Sequence, residues 1–254
     1  HPYISTGLRD HKFVIDIAAA EEVYARAAAM SNIRPDGVSC HIGSQLLDTA
    51  PLIEAFDAVL ALVGRLRARG IAITHLDLGG GLGVPYKTEQ QEPDVTAHIQ
   101  SLCARCAGSG LTLMTEPGRS IVGPAGALVT RVLYRKLTAT KEFVVVDAAM
   151  NDLIRPALYQ AHHEILPLRQ NGAPPIVADV VGPVCETGDF FARDREMANV
   201  LPGDFVALMT AGAYGFVLSS NYNSRPRAAE VLVDGAEWRV VRKREKFSDL
   251  VTGE

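Results

Sequence analysis

Apolar residues recur along this chain in two rhythms, and the rhythm changes near residue 125. Before that point, helical periodicity alternates with short apolar runs. Asp16 is placed to cap a helix reaching about Met30, with Ile17, Ala20, Tyr24 and the pair Ala27 and Ala28 on one stripe. Gly37 to His41 reads as a short strand that ends in HIGSQ. The strongest helical pattern runs from Pro51 to Arg69, where Leu52, Phe56, Val59, Leu60, Val63 and Leu66 keep one face apolar and Gly70 ends the helix. Ile71 to Leu78 predicts a second strand that enters the glycine run at 79–83. Asp94 starts another helix, with Val95, Ile99, Leu102, Cys103 and Cys106 inward and Gly108 as its stop. Leu111 to Thr115 is the third strand, followed by Glu116-Pro117-Gly118-Arg119. The order is helix, strand–helix, strand–helix, strand, and polar or glycine-rich residues follow every strand. Parallel α/β folds place their ligands at such carboxyl ends.

After Gly126 the helical period fades. Runs at 128–133, 143–147, 176–182, 205–210, 230–233 and 238–241 predict strands, and Asp234-Gly235 predicts a hairpin turn between the last two. The tail from Glu245 is read as a last helical turn. A boundary near residue 125 therefore divides an α/β part, 1–125, from an antiparallel β-domain, 126–254. Three strand–helix units cannot close a (β/α)8 barrel, which needs eight strands and roughly 250 residues. They leave a parallel sheet with open apolar edges. Either the α/β part is a small open sheet, or the N-terminal part of a barrel is missing.

Composition narrows the function classes. The 254 residues are 48% hydrophobic with a formal net charge of −4, enough for a sizeable core and without the basic block of a nucleic-acid binder. No apolar run is long enough to span a bilayer. Cys40, Cys103, Cys106 and Cys185 are few and scattered, which suits a reducing cytoplasm. Cys103 and Cys106 form a CxxC with no second pair, so they are read as core residues of a helix face, and no metal site is expected. The chain opens on His1-Pro2, without an initiator methionine or a targeting segment, and is expected to be part of something longer.

Several residues can carry chemistry. In DLGGGLGVPY the three glycines at 79–81 remove every Cβ from a strand end, so backbone N–H groups can converge on an anion, although a tight turn alone can use the same residues. His41, beside Gly43 and Ser44, can stack on a flat ring or be a hydrogen-bonded structural histidine. Glu116 can point at a ligand while Arg119 offers a bidentate anion contact, or the two can form a local ion pair. Arg155 and Tyr159 flank Pro156 and offer a cation and a phenol. Cys185, next to Glu186 after a Gly-Pro turn, can donate a proton or be a buried thiol. Tyr214, between small residues, is a cofactor platform or simple packing.

The set CHIGSQ, LDLGGGLGVPY, EPGRSIV, VVDAAMNDLIRPALY, VVGPVCETGDF, AGAYGF and SSNYNSRPRAAEVLVDG, in this order, closely resembles the diaminopimelate decarboxylase family. HPYISTGL and KFVIDI at the start are similar to it too. CHIGSQ and VCETGD favour it over the ornithine, arginine and carboxynorspermidine decarboxylases of the same fold type. The resemblance implies the C-terminal part of an alanine-racemase-like (β/α)8 barrel followed by a β-domain, pyridoxal 5'-phosphate as cofactor, meso-diaminopimelate as substrate, and L-lysine and CO2 as products. It implies that Ser44, Gly80, Gly81 and the backbone of Glu116, Pro117, Gly118 and Arg119 hold the phosphate. His41 would stack on the pyridine and Glu116 would pair with its nitrogen. Arg119, Arg155, Tyr159 and Glu186 would grip the far end of the substrate, Tyr214 would lie against cofactor and substrate, and Cys185 would protonate the carbon that loses CO2. It further implies a homodimer in which Cys185 and Glu186 reach the neighbouring subunit's site.

The cofactor of this family is held as a Schiff base by a lysine. Lys12, Lys87, Lys136, Lys141, Lys243 and Lys246 are this chain's lysines, and none resembles the family's lysine motif. The chain is therefore expected to be a C-terminal portion, inactive by itself. Two other readings are a non-catalytic decarboxylase-like module that regulates by dimerising, and a related basic amino-acid decarboxylase. A dinucleotide-binding unit is disfavoured, because the glycines do not match GxGxxG and Pro85 follows where a helix should begin.

Overall fold

A computed structural model describes residues 15–254, so Lys12, HPYISTGL and the start of KFVIDI lie outside the described residues. The chain resolves into two compact units. The first runs to Pro85 and resumes over Glu89–Ile121, and the second comprises Tyr86–Thr88 and Val122–Glu254.

The first unit is built on three parallel strands, β1 (Gly37–Ser39), β2 (His75–Asp77) and β3 (Thr112–Met114), paired in that order. Gly37 pairs with His75, and His75 with Thr112, so the strands end level with one another. Helices α1 (Ile17–Ala28), α2 (Ala50–Ala68) and α3 (Val95–Cys106) alternate with them, and a short α4 (Gly118–Val122) follows β3. Asp16 and Asp94 cap α1 and α3 by accepting from the N–H groups of Ala18 and Ala97. The apolar stripe of α2 is the centre of the core: Phe56 and Leu66 are fully buried, and Val59, Leu62 and Val63 pack with Leu76 and Ile73.

Three expectations for this unit change. The second strand covers only His75–Asp77; Ile71 and Ile73 are buried outside it, because the ladder extends no further than its short neighbours. In α1, Ile17 is exposed while Ala20 is buried. In α3 the inward edge is His98, Leu102 and Cys106; Val95, Ile99 and Cys103 are exposed. A polar imidazole thus takes a place that an apolar count gives to Ile99. Burial pushes the His98 pKa down, which favours its neutral form.

The second unit holds a six-stranded sheet in the order β6-β9-β4-β5-β7-β8. Its strands are β4 (Leu128–Leu137), β5 (Glu142–Val146), β6 (Ile165–Pro167), β7 (Ile176–Val181), β8 (Phe190–Met197) and β9 (Phe205–Leu208), with helix α5 (Arg155–Tyr159) between β5 and β6. Every pairing is antiparallel except β5 with β7, which is parallel. Val132, Val144, Val180, Val206 and Leu208 fill the core on this sheet. Strand β8, written FFARDREM, escapes a periodicity reading because charged residues interrupt it and Asp194 adopts a left-handed φ of 46° at a register shift. A separate hairpin, β10 (Glu230–Asp234) and β11 (Glu237–Arg242), closes on the pair Asp234 and Glu237. Its two turn residues are therefore Gly235 and Ala236, one place later than expected, with Gly235 at φ 59°. The tail forms α6 (Phe247–Leu250). No helix among the described residues is long and apolar enough to cross a membrane.

Candidate active site

In the first unit, the glycine run leaves β2 and passes between two loops at a distance that admits no side chain. A Cβ on Gly79 would lie 2.6 Å from the Cys40 carbonyl oxygen and 3.0 Å from His41 Nδ1. One on Gly80 would lie 2.6 Å from the Glu116 carbonyl oxygen, and one on Gly81 2.7 Å from that of Gly43. The run is tied to both neighbours: Glu116 N–H donates to the Gly79 carbonyl at 2.7 Å, and Leu46 N–H to that of Gly81 at 2.9 Å. The glycines therefore bring 40–46 and 116–119 to one place, which is a tertiary reason for them that a strand-end turn alone does not require.

Asp77 Oδ1 accepts the Gly79 N–H at 2.8 Å. The Gly80 N–H faces His41 Nδ1 at 3.4 Å. No group among the described residues accepts the Gly81 N–H. Arg119 is buried on α4 and donates to Ser44 Oγ at 3.1 Å; the hydroxyl keeps its own proton to give. The loops joined by the glycine run thus carry a backbone N–H, a hydroxyl bonded to a guanidinium, and an imidazole, and Glu116 is exposed. This donor set suits a phosphate-bearing cofactor with a flat ring. Burial, reinforced by the Asp77 carboxylate, pushes the Cys40 thiol pKa up to about 11, which favours the protonated form.

The second unit carries Arg155, Tyr159, Cys185, Glu186 and Tyr214. Pro156 sits in the first turn of α5, and Gln160 closes the helix with a left-handed φ of 53°. Arg155 is buried. One guanidinium nitrogen lies 2.8 Å from His163 Nε2, and the group stands 4.7 Å over the Tyr86 ring. His163 Nδ1 meets the Met209 carbonyl at 2.8 Å, so the ring is neutral, with its proton on Nδ1 and its Nε2 lone pair accepting from arginine. His163 and Tyr86 meet edge to face at 5.3 Å. Sequence reasoning missed both, and the signal that remains is the HHE triplet just beyond α5. Tyr214 follows buried Ala213 with a left-handed φ of 57° and is exposed.

Cys185 and Glu186 lie exposed at the tip of the 182–189 connection from β7 to β8. Buried Asp189 shapes that connection, its carboxylate accepting the N–H groups of Val184 at 2.7 Å and Met150 at 2.6 Å. Burial raises the Asp189 pKa, and those two hydrogen bonds oppose the rise. Glu186 Oε2 accepts the phenol proton of Tyr222 at 2.5 Å. Neither Asp189 nor Tyr222 was singled out by sequence reasoning, although both stand inside the motifs VCETGD and SSNYN.

A family model described as pyridoxal-dependent decarboxylase, C-terminal sheet domain, matches residues 12–212. The chain belongs to the pyridoxal-dependent decarboxylase family. Diaminopimelate decarboxylase of Pseudomonas aeruginosa is 56% identical over 254 residues, which are 100% of this chain and 61% of that protein. The crystal structure of diaminopimelate decarboxylase from Helicobacter pylori complexed with L-lysine superposes with a TM-score of 0.91 at 43% identity, over 98% of this chain and 62% of that one. The lysine/ornithine decarboxylase of Vibrio vulnificus complexed with cadaverine scores 0.77 at 26% identity, over 87% of this chain and 60% of that one. The chain thus spans about 61% of the length of the curated relatives it matches. Within this decarboxylase family, it is more similar to these diaminopimelate enzymes than to the lysine/ornithine enzyme, as CHIGSQ and VCETGD lead one to expect.

One acid-sensitive contact supports the Tyr222 segment of this family member. Glu245 accepts from Arg227 Nε at 2.7 Å, from the Arg227 backbone N–H at 2.8 Å and from Asn221 Nδ2 at 2.7 Å. The hydrogen bonds from Arg227 hold its pKa down at about 2. A depressed carboxylate contributes stability that is complete above its unfolded value of about 4.3 and is lost as pH falls through the folded value. Thermal midpoints are therefore expected to fall between about pH 4.5 and pH 2, and Glu245→Gln is expected to flatten that part of the curve.

Proposed function

We propose that this chain is the C-terminal portion of a pyridoxal-phosphate-dependent carboxy-lyase that converts meso-2,6-diaminopimelate to L-lysine and CO2. The observation that carries the reading is the glycine cradle, which ties the loop of His41 and Ser44 and the loop of Glu116 and Arg119 to one strand end, with Arg119 bonded to Ser44. The names of its relatives supply the substrate class. Pyridoxal phosphate, when bound, supplies an electron sink for the charge left on carbon as CO2 departs.

The chain's own residues do the rest. Ser44, Gly80, Gly81 and the backbone of 116–119 bind the phosphate, and His41 stacks on the ring. Glu116 holds a proton at the ring nitrogen. Arg119, Arg155 and Tyr159 take the distal carboxylate of the substrate, and Glu186 takes its distal ammonium. Tyr214 covers the bound groups, and Cys185 Sγ delivers a proton to the reacting carbon. A homodimer, each subunit lending Cys185 and Glu186 to the other, completes the site in the cytoplasm. Residues 1–125 contribute the last units of a barrel, and 126–254 the dimer and substrate contacts.

Expressed with its upstream coding sequence and loaded with cofactor, the protein is expected to release CO2 from meso-diaminopimelate. No release refutes the assignment. The 254-residue chain by itself is expected to release none and to show no absorbance from a lysine-linked cofactor; either signal refutes the view that the linking lysine lies elsewhere. Turnover of ornithine at a similar rate would favour the basic amino-acid decarboxylase reading.

A further inference from the structure

The contact between Tyr222 and Glu186 is built from both sides, and the supports converge on one turn, Asp147–Leu153. On the Glu186 side, Asp189 organises the loop. Its carboxylate holds Val184 and Met150, its carbonyl accepts the Gly182 N–H at 3.1 Å, and its own N–H donates to the Glu186 carbonyl at 3.0 Å. Gly182 is required by this approach, because a Cβ there would lie 2.4 Å from Asp189 Oδ2.

On the Tyr222 side the anchor is Asn151, next to Met150 and 2% exposed. Its backbone carbonyl accepts the Ser220 N–H at 2.9 Å, its Nδ2 donates to the Ser220 carbonyl at 3.1 Å, and its Oδ1 accepts from Arg225 Nε at 2.9 Å. Between those anchors Asn223 and Ser224 adopt left-handed φ values of 59° and 54°. Non-glycine residues reach that conformation at a cost, so consecutive ones mark a segment whose path its surroundings dictate. The outcome is a phenol hydroxyl 2.5 Å from a carboxylate oxygen on an otherwise exposed loop.

We infer that Tyr222 is a positioning residue for substrate specificity: its hydroxyl fixes the Glu186 carboxylate so that the other oxygen faces the distal ammonium of the substrate. The inference rests on the reading of Glu186 as the ammonium contact. A carboxylate on a free loop must lose rotamer entropy when substrate arrives; one already held by Tyr222 has lost it beforehand. The benefit is confined to substrates that present a cation there.

The test uses the full-length, cofactor-loaded enzyme with Tyr222→Phe, Glu186→Gln and the double variant. Tyr222→Phe is expected to raise KM for meso-diaminopimelate, and Kd for L-lysine by calorimetry, about tenfold, close to 1.4 kcal/mol, with kcat within about threefold. The thermal midpoint should stay within about 2 °C, because the ring is half exposed. Glu186→Gln is expected to raise KM further, and adding Tyr222→Phe to it should change nothing more. If Glu186→Gln raises KM but Tyr222→Phe does not, or if the two effects add in full, the positioning role is overturned. If Glu186→Gln leaves KM unchanged, the ammonium assignment fails and takes the inference with it.

Discussion

Cys185→Ala is expected to lower kcat of the cofactor-loaded enzyme by about 10²–10⁴-fold, the range that a placed proton donor contributes. The thiol is exposed at the tip of the 182–189 loop, so its loss opens no cavity. The fold of that loop depends on Asp189, whose bonds to Val184 and Met150 the substitution leaves untouched. Cofactor affinity should be unchanged as well, because Cys185 is not among the residues proposed to hold the cofactor. The measurement is single-turnover release of lysine with cofactor binding followed in parallel. Unchanged kcat would remove Cys185 from the chemistry, and weakened cofactor binding would mean that the residue acts structurally.

The second large effect is expected at Gly81→Ala. Two costs combine there: φ is +110°, where an L side chain is strained, and the new methyl would sit 2.7 Å from the Gly43 carbonyl oxygen. Together they are expected to destabilise the fold by about 2–4 kcal/mol. The 40–46 loop, which carries Ser44, would shift, with cofactor affinity falling about 100-fold or more, some 2.7 kcal/mol. Gly70→Ala is the control. Its φ is +82°, but nothing lies within 4 Å of the added methyl, so only the conformational penalty of about 1 kcal/mol remains. Cofactor titration and thermal melts on the two variants separate strain from loss of the cradle. Equal cofactor affinity in both would sink the phosphate assignment.

Much of the fold is legible along the chain because its signals are local. The α2 stripe reads out as buried Leu52, Phe56, Val59, Val63 and Leu66. Asp16 and Asp94 cap the helices they precede. Short elements escape because tertiary contacts make them. Helix α5 has a single turn and owes its arginine's position to His163, eight residues along the chain, and β8 is held as a strand by β7 despite its charges. The inward edge of α3 was misplaced for a related reason: a histidine can be buried when its neutral form is favoured, and apolarity alone cannot register that.

The candidate site divides in the same way. Glycines, Glu116, Arg119 and Cys185 stand in motifs whose order along the chain suffices to suggest pyridoxal-phosphate chemistry. The groups that aim them are scattered, joined by hydrogen bonds between residues 39 and 75 positions apart, such as Met150 with Asp189 and Ser44 with Arg119. By itself, then, the sequence determined the two-part architecture and the carboxyl-end location of the glycine run, and it marked the candidate reactive side chains, because periodicity and motif order are properties of neighbours. Only the tertiary structure decided that the glycines serve close backbone approach, that His163 keeps Arg155 in place, and that Asp189 and Tyr222 set the Cys185–Glu186 loop. Those facts depend on which distant backbone groups meet when the sheets form, and no local pattern encodes them.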